Sequence, residues 1–451
     1  MDGNESDGSD NGFEERQNQN RDGAGGPGGS GGGGGGRPRD GGGGSGNDDD
    51  EEDDNSSDST AGDSDEERPY DISIAASHSY LGAGLVCCGA RGARGGRGEP
   101  EAGWRGRVPA AAHHGVLFPG ETVPMLLPHA PDAALLVQAI EHDKLFGLLC
   151  PDESGTMLSG YGVLCEVMMA GIEEEQAAPT SVTFKARAIH RFRLLKEPRE
   201  NMILHSYSRM RFVEVMVLPE MSARDTLRAA RLASLDPLRS AAHRAPVQRR
   251  LRSMDAAATP WPLFVYDIFE LERMRRTIRD YFQTIMLEDK LPEEPVSLSF
   301  WVASNLALSY ADRLALFAVD NALLRLRMEC EFIHRKSVLS CMSCMTQIAR
   351  KEHIFAMSSE GVHSNYTNLG GFMHDILTVS QTTNVETNGA PSAEYSWFPG
   401  YTWTVALCAN CMAHVGWRFM AMKRNLRPYK FFGLCRNYVQ PEAVADPQPL
   451  P

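Results

Sequence analysis

Apolar and polar residues alternate with a period of two through much of the stretch from residue 115 to residue 218. The alternation is clearest where Val182, Phe184 and Ala186 are interleaved with Lys185 and Arg187. Such a pattern is typical of a strand with one buried face and one face in solvent. It predicts β-strands within residues 116–123, 145–150, 161–169, 182–195 and 206–218.

The period changes to that of an α-helix after Pro262. Apolar residues recur every three or four positions over residues 263–282, which predicts one amphipathic helix, and a second helix is predicted over residues 310–334. Asn305 and Ser309 come just before that second helix, and both side chains can cap a helix N-terminus. Strands followed by helices give the chain an α+β character.

Two Cys-x2-Cys pairs lie in the last quarter of the chain, at Cys341 and Cys344 and at Cys408 and Cys411. Each pair has the spacing of a tight knuckle, and two such knuckles typically close around one tetrahedral Zn²⁺. Four thiolates leave no coordination position open to water, so the predicted zinc is structural and does no chemistry. Short strands and turns around the pairs predict an antiparallel sheet over the metal.

Half of the six tryptophans lie close to these cysteines, namely Trp397, Trp403 and Trp417, and Phe419 follows the last of them. An aromatic cluster can hold a cation over its ring faces, or grip a flat neutral ring whose polar edge meets the backbone. It can also be the packed core of a small module. The spacing alone leaves these three interpretations open.

The acidity of the chain is confined to its N-terminus. Residues 1–68 contain a glycine run and the acidic segment 48–54, and they carry 20 acidic and 5 basic residues, a net charge of −15. The whole chain carries −14, so the remainder is close to neutral. This composition predicts a disordered tail, and the neutral remainder makes nucleic acid an unlikely partner.

No apolar run reaches the roughly 18 residues that a membrane-spanning helix needs, and the polar, acidic N-terminus does not resemble a signal peptide. We therefore expect an intracellular protein with no membrane partner.

A second low-complexity stretch, residues 89–107, has five arginines among glycines. A surface loop is the favoured interpretation of this stretch, and an RNA-binding segment is the alternative.

Several runs of the chain resemble one family. The segment Glu394-Tyr-Ser-Trp-Phe-Pro-Gly-Tyr-Thr-Trp403, continued through the second cysteine pair to Phe419, is similar to the ligand-binding zinc domain of the cereblons. Matching runs begin at Ser77, Phe118 and Trp261, so the resemblance extends from about residue 70 to residue 438. Cereblons are substrate receptors of cullin-4 RING ubiquitin ligases, which makes a non-catalytic receptor of the cytoplasm and nucleus the expected function.

The resemblance implies a multidomain α+β architecture. Residues 69–335 are expected to form a domain similar to the N-terminal substrate-binding domain of Lon proteases, with a small β-barrel-like half and a helical half. No Gly-Lys dipeptide occurs, so a P-loop and protease activity are not expected. A helical insertion at about 221–258 is expected to bind the DNA-damage-binding propeller adaptor of the ligase. Residues 336–440 are expected to form the antiparallel zinc domain, and 441–451 a C-terminal tail.

The resemblance also implies a ligand pocket. Trp397, Trp403, Trp417 and Phe419 match its four aromatic residues, the backbone around Tyr395 would bind the polar edge of the ligand, and Asn368 matches a neighbouring loop residue. The implied ligands are C-terminal cyclic imides on proteins and glutarimide small molecules. The chain departs from the family pattern in two places, because Tyr395 replaces a histidine and Leu369-Gly370 replaces a Pro-His pair.

Two alternatives concern the same domain. The tryptophans could read a methylated cation with Glu394 as its counter-charge. The domain also resembles B-type methionine sulfoxide reductases, whose nucleophile lies in an Arg-x-Cys-x-Asn motif. Here Gly433 stands at the arginine position before Cys435 and Asn437, so the residue that would stabilise a thiolate is missing.

Overall fold

The computed structural model describes residues 67–82, 84–89, 100–196, 210–221, 231–241, 245–335 and 337–443. Its residues divide into two compact units, Met1–Asp63 and Ser64–Pro451, and the first lies wholly outside the described part. The predicted acidic tail therefore lies outside it, apart from its last two residues. Most of the arginine-glycine stretch, residues 90–99, also lies outside it. No helix within the described residues is long and apolar enough to cross a membrane.

Seven strands and one helix form the predicted barrel-like half, but the strand predicted over residues 116–123 is wrong, because only residues 122–123 belong to a strand there, β4. In the sheet the strand order is β2-β6-β5-β3-β8-β7-β4, and an additional pairing of β6 with β7 closes it upon itself. The long β6 and β7 meet at a turn where Gln176 and Ala177 both have positive φ, the geometry of a tight hairpin. The elements are β2 (Val86–Cys87), β3 (Arg105–Ala112), β4 (Thr122–Leu127), α2 (Ala130–His142), β5 (Leu145–Pro151), β6 (Leu158–Glu175), β7 (Ala178–Leu194) and β8 (Arg211–Val217).

The period-two alternation on β7 is confirmed. Val182, Phe184, Ala186 and Ala188 are all at most 1% exposed and belong to the core of the sheet. A one-residue slip in register would move this whole set to the solvent face, so the buried face fixes the pairing of β7 with β4 and β6. Cys165 on the neighbouring strand β6 is likewise buried.

The helical half contains more breaks than the apolar spacing predicted. The predicted helix over 263–282 is interrupted at Phe269 and Glu270, and the predicted helix over 310–334 is interrupted at residues 319–321. The helices are α3 (Asp236–Ala241), α4 (Ala245–Ala258), α5 (Leu263–Ile268), α6 (Leu271–Gln283), α7 (Pro295–Asn305), α8 (Tyr310–Ala318) and α9 (Ala322–His334).

The predicted caps have different outcomes. Ser309 caps α8, because its side chain accepts a hydrogen bond from the Asp312 N–H. Asn305 as a cap is wrong: it is the last residue of α7, and its side-chain oxygen accepts from the Val362 N–H at 2.9 Å. The break before α9 has its own cap, Asn321, whose side chain accepts from the Leu324 N–H. Local polar residues thus divide one apolar stripe into two helices.

Three arginines buried inside the domain join its two halves. The Arg191 guanidinium on β7 pairs with Asp320 before α9 at 3.0 Å. Arg325 on α9 pairs with Glu220 at 3.0 Å, and Arg313 on α8 donates from Nε to the Val116 carbonyl at 3.0 Å. Since a buried guanidinium is costly unless its donors are satisfied, these contacts fix how the helices sit on the barrel.

Glu329 on α9 is the exception to this pairing. It is fully buried, and neither carboxyl oxygen has a hydrogen-bond partner among the described residues. Burial raises the pKa of this carboxyl well above its ordinary value, only partly offset by the Arg325 charge. In the folded protein the group therefore keeps its proton at pH values where the unfolded chain, with a pKa of about 4.3, has released it.

Glu329→Gln is accordingly expected to raise the melting temperature by a few degrees at neutral pH. The raised pKa means that stability is lost as pH rises above about 4.3, because ionisation favours the unfolded chain. Glutamine has no such penalty, so the gain over the wild type should grow from pH 4 to pH 7 in thermal unfolding scans. Glu331→Gln, on the exposed side of the same helix, is the control. A gain that does not change with pH would contradict this assignment.

The C-terminal domain is an antiparallel sheet with order β11-β12-β17-β15-β14-β13, plus a small sheet β10-β9-β18. This confirms the predicted β zinc domain, although its last strand ends at Ala443 instead of residue 440. The strands are β9 (Ser337–Cys341), β10 (Gln347–Arg350), β11 (His363–Thr367), β12 (Met373–Val379), β13 (Val385–Ser392), β14 (Tyr401–Cys408), β15 (His414–Ala421), β17 (Lys430–Cys435) and β18 (Val439–Ala443).

The segment before the barrel packs on this C-terminal domain. Strand β1 (Arg68–Pro69) pairs in parallel with β16 (Leu426–Arg427), and α1 (Ile72–Ser77) follows, capped by Asp71. Tyr70 and Ala75 belong to the same buried cluster as Trp397. Residues close in sequence to the barrel thus complete the core of the zinc domain.

Candidate functional site

The four predicted zinc ligands come together at one end of the C-terminal sheet. The sulfur atoms of Cys341, Cys344, Cys408 and Cys411 all lie within 4.8 Å of one another. Sγ of Cys341 is 3.7 Å from Sγ of Cys411, and Sγ of Cys344 is 3.6 Å from Sγ of Cys408. These distances are far longer than the roughly 2.05 Å of a disulfide.

The sulfur spacing fits a tetrahedral zinc ion. Four thiolates at the usual Zn–S distance of about 2.3 Å lie about 3.8 Å apart, close to the separations found here. The prediction of one structural zinc is therefore confirmed. With all four positions occupied by sulfur, such an ion would hold two hairpins together and leave no position for a substrate or an activated water.

The two knuckles have the same backbone geometry. The residue after each second cysteine, Met345 or Met412, has φ near +60°. The Met345 N–H donates to the Cys341 carbonyl at 2.9 Å, and the Met412 N–H donates to the Cys408 carbonyl at 2.8 Å. The repeated turn aims both cysteines of each pair at one point, which is what the x2 spacing predicts.

A cavity of about 400 Å³ opens elsewhere on the same domain. All six residues predicted for the ligand pocket line it. The other lining residues come from the loop that follows Asn368, from the end of β13 and the turn after it, and from β14. The lining residues are Asn368, Leu369, Gly370, Ser392, Glu394, Tyr395, Trp397, Trp403, Val405, Trp417 and Phe419.

Two adjacent strands build one wall of this cavity. In the register of β14 and β15, Trp403 lies opposite Phe419, and Val405 lies opposite Trp417. Since side chains two apart on a strand share a face, all four side chains point to the same side of the sheet. Strand alternation and the pairing of β14 with β15 thus gather three of the four predicted aromatic residues.

The fourth aromatic residue, Trp397, comes from the loop before β14. Its indole Nε1 donates to the Thr367 carbonyl at 3.2 Å, and its ring stacks on Tyr366 with centroids 5.3 Å apart. It also meets Trp417 edge to face at 4.8 Å. Trp397 is therefore held rigidly, as a preformed pocket requires.

The aromatic residues divide between core and cavity. Trp397 and Phe419 are 6% and 1% exposed and belong to a buried cluster, whereas Trp403 and Trp417 are half-buried and only pack against that cluster. The cluster thus combines a packed core with the wall of an open cavity.

Tyr395 forms the rim in an unusual conformation. Its φ is +54°, a region that residues other than glycine seldom occupy and that is often found at functional sites. Its ring meets Tyr80 of the N-terminal segment edge to face at 5.3 Å. Tyr80 in turn accepts a hydrogen bond from the Thr367 N–H at 3.0 Å. The N-terminal segment therefore supports the pocket rim, which no local sequence signal indicated.

His374 is a further residue that the sequence did not single out. Its ring lies against both Trp397 and Trp417, at 5.6 Å and 5.1 Å, and its Nε2 is 3.4 Å from the side-chain nitrogen of Asn368. Burial, assisted by the nearby His414 and His114, lowers the pKa of His374 to about 4. The floor of the aromatic cluster is therefore uncharged at neutral pH.

The loop that carries Asn368 is held by the barrel. Gly371 has φ +81°, and a Cβ there would lie 2.8 Å from the Leu126 carbonyl on β4. Beside it, the Asn365 side chain donates to the Thr122 carbonyl at 3.1 Å. The Arg436 guanidinium donates to the Ser304 carbonyl at 2.9 Å. The pocket thus lies in the zinc domain, but one of its walls rests on the preceding domain.

The reductase alternative depends on Cys435, which the structure makes inert. This cysteine is 2% exposed on β17 and does not line the cavity. Burial, with a smaller contribution from the Asp375 charge, raises the pKa of its thiol well above the ordinary value. A buried neutral thiol is a poor nucleophile, so the geometry disfavours this alternative.

Comparisons with known proteins match both halves of the chain. Residues 108–335 match the family described as the ATP-dependent protease La (LON) substrate-binding domain. Residues 337–449 match the family described as Yippee zinc-binding/DNA-binding and Mis18, centromere assembly. These two families agree with the barrel-and-helix architecture and with the four-cysteine site.

Three relatives that match more than four fifths of this chain carry the same name. The chain is 31% identical to protein cereblon of Danio rerio over 401 residues, which cover 84% of this chain and 90% of that protein. It is 30% identical to protein cereblon of Gallus gallus over 395 residues, 82% and 85% of the two chains. Protein cereblon of Drosophila mojavensis is 29% identical over 84% of this chain and 55% of its own length.

Proposed function

Because the chain belongs to the cereblon family, we propose that it is a substrate receptor of a cullin-4 RING ubiquitin ligase and catalyses no reaction itself. It selects proteins through the aromatic pocket and presents them for ubiquitin transfer by the rest of the ligase, in the cytoplasm and nucleus. The observation that carries the proposal is the rigid cavity of about 400 Å³ with Trp397, Trp403 and Trp417 around it.

The proposed ligand is a neutral cyclic imide. Its two ring faces would pack on the indoles, and its polar edge would meet the backbone of the loop at Tyr395 and Trp397. Within the described part of the chain, the backbone N–H and C=O groups of these two residues make no hydrogen bond. A ligand with a donor flanked by acceptors would satisfy such groups at little desolvation cost.

Charge distinguishes this ligand from a methylated cation. A cation is attracted by the faces of aromatic rings, but a buried cation is costly unless an opposite charge pairs with it. The only carboxylate among the residues lining the cavity is that of Glu394, which is exposed, and the buried His374 is neutral. A neutral ring fits this environment better, with C-terminal cyclic imides of proteins as the biological ligand and glutarimides as their small-molecule equivalents.

The test is a titration of the full chain with a glutarimide compound, followed by tryptophan fluorescence. Saturable quenching is expected, because Trp403 and Trp417 are the half-exposed walls of the cavity. The same compound methylated on the imide nitrogen is the control, since it keeps the ring but loses the edge donor. Equal binding of both compounds, or of neither, would contradict an imide receptor.

The propeller adaptor of the ligase is proposed to bind the helices before the zinc domain. Residues 222–230 and 242–244 of the predicted insertion lie outside the described part. On α3 to α5, however, large apolar side chains are 44–61% exposed, which is typical of a protein-binding surface. These residues are Leu238, Val247, Met254, Trp261 and Phe264.

Introducing negative charge on this apolar surface is expected to weaken adaptor capture strongly. Val247→Glu combined with Met254→Glu puts two carboxylates on the exposed face of α4, and burying them in an interface should weaken binding about 30-fold or more. Glutarimide binding should not change. Met286→Glu, at a residue that is 88% exposed elsewhere in the helical half, is the matched control. If the double variant still captures the adaptor, the interface lies elsewhere.

A further inference from the structure

Helices α4 and α6 form a groove that the imide pocket and the apolar helical face do not use. It encloses a cavity of about 840 Å³. Five of its lining residues are arginines, and the name arginine groove refers here to Arg249, Arg250, Arg252, Arg273 and Arg276. Neither the zinc site nor any residue of the aromatic pocket contributes to it.

The spacing of the lining residues places them on one face of each helix. The groove takes residues 246, 249, 250 and 253 from α4 and residues 273, 276, 277 and 280 from α6. Both sets follow the i, i+3, i+4, i+7 pattern of a single helix face. Each helix therefore turns one continuous face toward the groove, and both faces are basic.

Most of these guanidinium groups have no carboxylate partner. Arg252 pairs with Asp267 at 2.7 Å and with Glu270 at 2.6 Å. Among the described residues, Arg276 donates to two neutral oxygens, those of the Glu272 carbonyl and the Gln248 amide.

For the other three arginines, Arg249, Arg250 and Arg273, no ion pair within 4.0 Å exists among the described residues. Glu270 and Asp280 are carboxylates on the groove wall, and Asp267 pairs with Arg252, so five positive charges face three negative ones among the described residues. Like charges this close repel one another unless an anion separates them.

The remaining lining residues indicate which class of anion the groove can bind. Gln248, Ser253 and Thr277 add hydrogen-bond donors, and among the described residues no aromatic side chain and one apolar residue, Pro246, line the groove. A nucleic-acid base would find no ring to stack on among these residues, and a peptide would find one apolar side chain, that of Pro246, to pack against. Guanidinium groups match phosphate oxygens in bidentate geometry.

We propose that the arginine groove binds a compact, soluble polyphosphate, with several phosphate groups on one small scaffold as in the inositol polyphosphates. The multiple phosphates would bridge α4 and α6, each helix contributing at least two guanidinium groups. Such a ligand would also stabilise the native helices, because it binds the folded groove and not the unfolded chain.

The test is calorimetric titration of the zinc-loaded full chain with inositol hexakisphosphate at about 150 mM salt, where long-range attraction is screened. Saturable binding of one ligand per chain is expected. Arg250→Gln combined with Arg273→Gln should weaken binding about 100-fold or more, since two charge-assisted contacts are lost. Arg279→Gln is the matched control, because this exposed arginine lies on α6 but outside the groove, and less than about threefold change is expected.

Further variants, a zinc measurement and other anionic ligands complete the test. Arg250→Lys with Arg273→Lys keeps the charge but loses the planar fork, so an intermediate affinity supports phosphate recognition. Zinc content measured after the titration must be unchanged, because loss of zinc would attribute the heat to chelation and overturn the proposal. Equal weakening by Arg279→Gln, tighter groove-dependent binding of a poly-glutamate peptide, or binding only to phosphoinositide vesicles would each also overturn it.

Discussion

Serine at Cys408 is expected to leave the C-terminal domain unfolded and free of zinc. Cys408 is fully buried at the end of β14, the strand that also carries Trp403. A structural zinc site is worth about 10–16 kcal/mol in apparent binding free energy, comparable to or larger than the whole stability of a typical domain. A serine hydroxyl does not replace a thiolate ligand. The lost zinc-binding free energy should therefore exceed the stability that the rest of the domain provides.

The measurement has three parts. Metal analysis should fall from one zinc per chain to none, tryptophan fluorescence should shift toward that of solvent-exposed indoles, and near-ultraviolet circular dichroism of the aromatic cluster should disappear. Cys87→Ser makes the same chemical change at an exposed cysteine outside the zinc site, and it should retain zinc and fold. A folded, zinc-free Cys408→Ser protein would show that the sheet does not need the metal.

Features encoded within a few residues could be predicted from the sequence. The zinc ligands follow from two x2 spacings, each of which defines its own turn, and the repeated positive φ at Met345 and Met412 expresses that local geometry. Strand β7 could be predicted for the same reason, because apolar and polar residues alternate along a half-buried strand. The wall of Trp403 and Trp417 is one step removed, since it needs the pairing of β14 with β15.

Features that depend on distant contacts could not be predicted in this way. Asn305 has the right residue type for a cap, but its side chain bonds to Val362, 57 positions later. Tyr80 precedes the barrel in sequence and yet supports Tyr395 in the zinc domain. No local pattern carries these contacts, because they arise only when two domains have packed together. The resemblance to the family supplied the pocket residues, but not the structural reason for their arrangement.

The arginine groove illustrates the same limit within one domain. In the sequence, Arg249 and Arg250 lie in the helical insertion expected at about 221–258, and Arg273 and Arg276 lie in the amphipathic helix predicted over 263–282. Each is an ordinary surface feature when taken alone. Their convergence on one cavity depends on how α4 and α6 lie against each other, which hydrophobic spacing does not determine.

Alanine at Trp403 is expected to abolish imide binding while leaving the fold and the zinc intact. The indole is half-buried, so its removal creates no enclosed cavity in the core. It does remove one wall of the ligand pocket. It also removes the hydrogen bond from the indole Nε1 to the Glu394 carbonyl at 2.8 Å, which holds the loop that presents the Tyr395 backbone. Losing the wall and the loop anchor together should weaken binding about 30-fold or more.

Trp403→Phe separates these two contributions, because phenylalanine restores an aromatic face but cannot donate to the Glu394 carbonyl. Affinity between those of the wild type and the alanine variant would assign part of the effect to the loop anchor, which is the expected result. Val405→Ala trims the same cavity two residues along β14, and a change of only a few fold is expected, since it leaves the aromatic faces in place. If zinc-loaded, folded Trp403→Ala protein bound the imide as tightly as the wild type, the ligand would have to lie outside this pocket. Trp403 is both a wall of the pocket and, through its bond to the Glu394 carbonyl, an anchor of the loop that would bind the polar edge of the ligand.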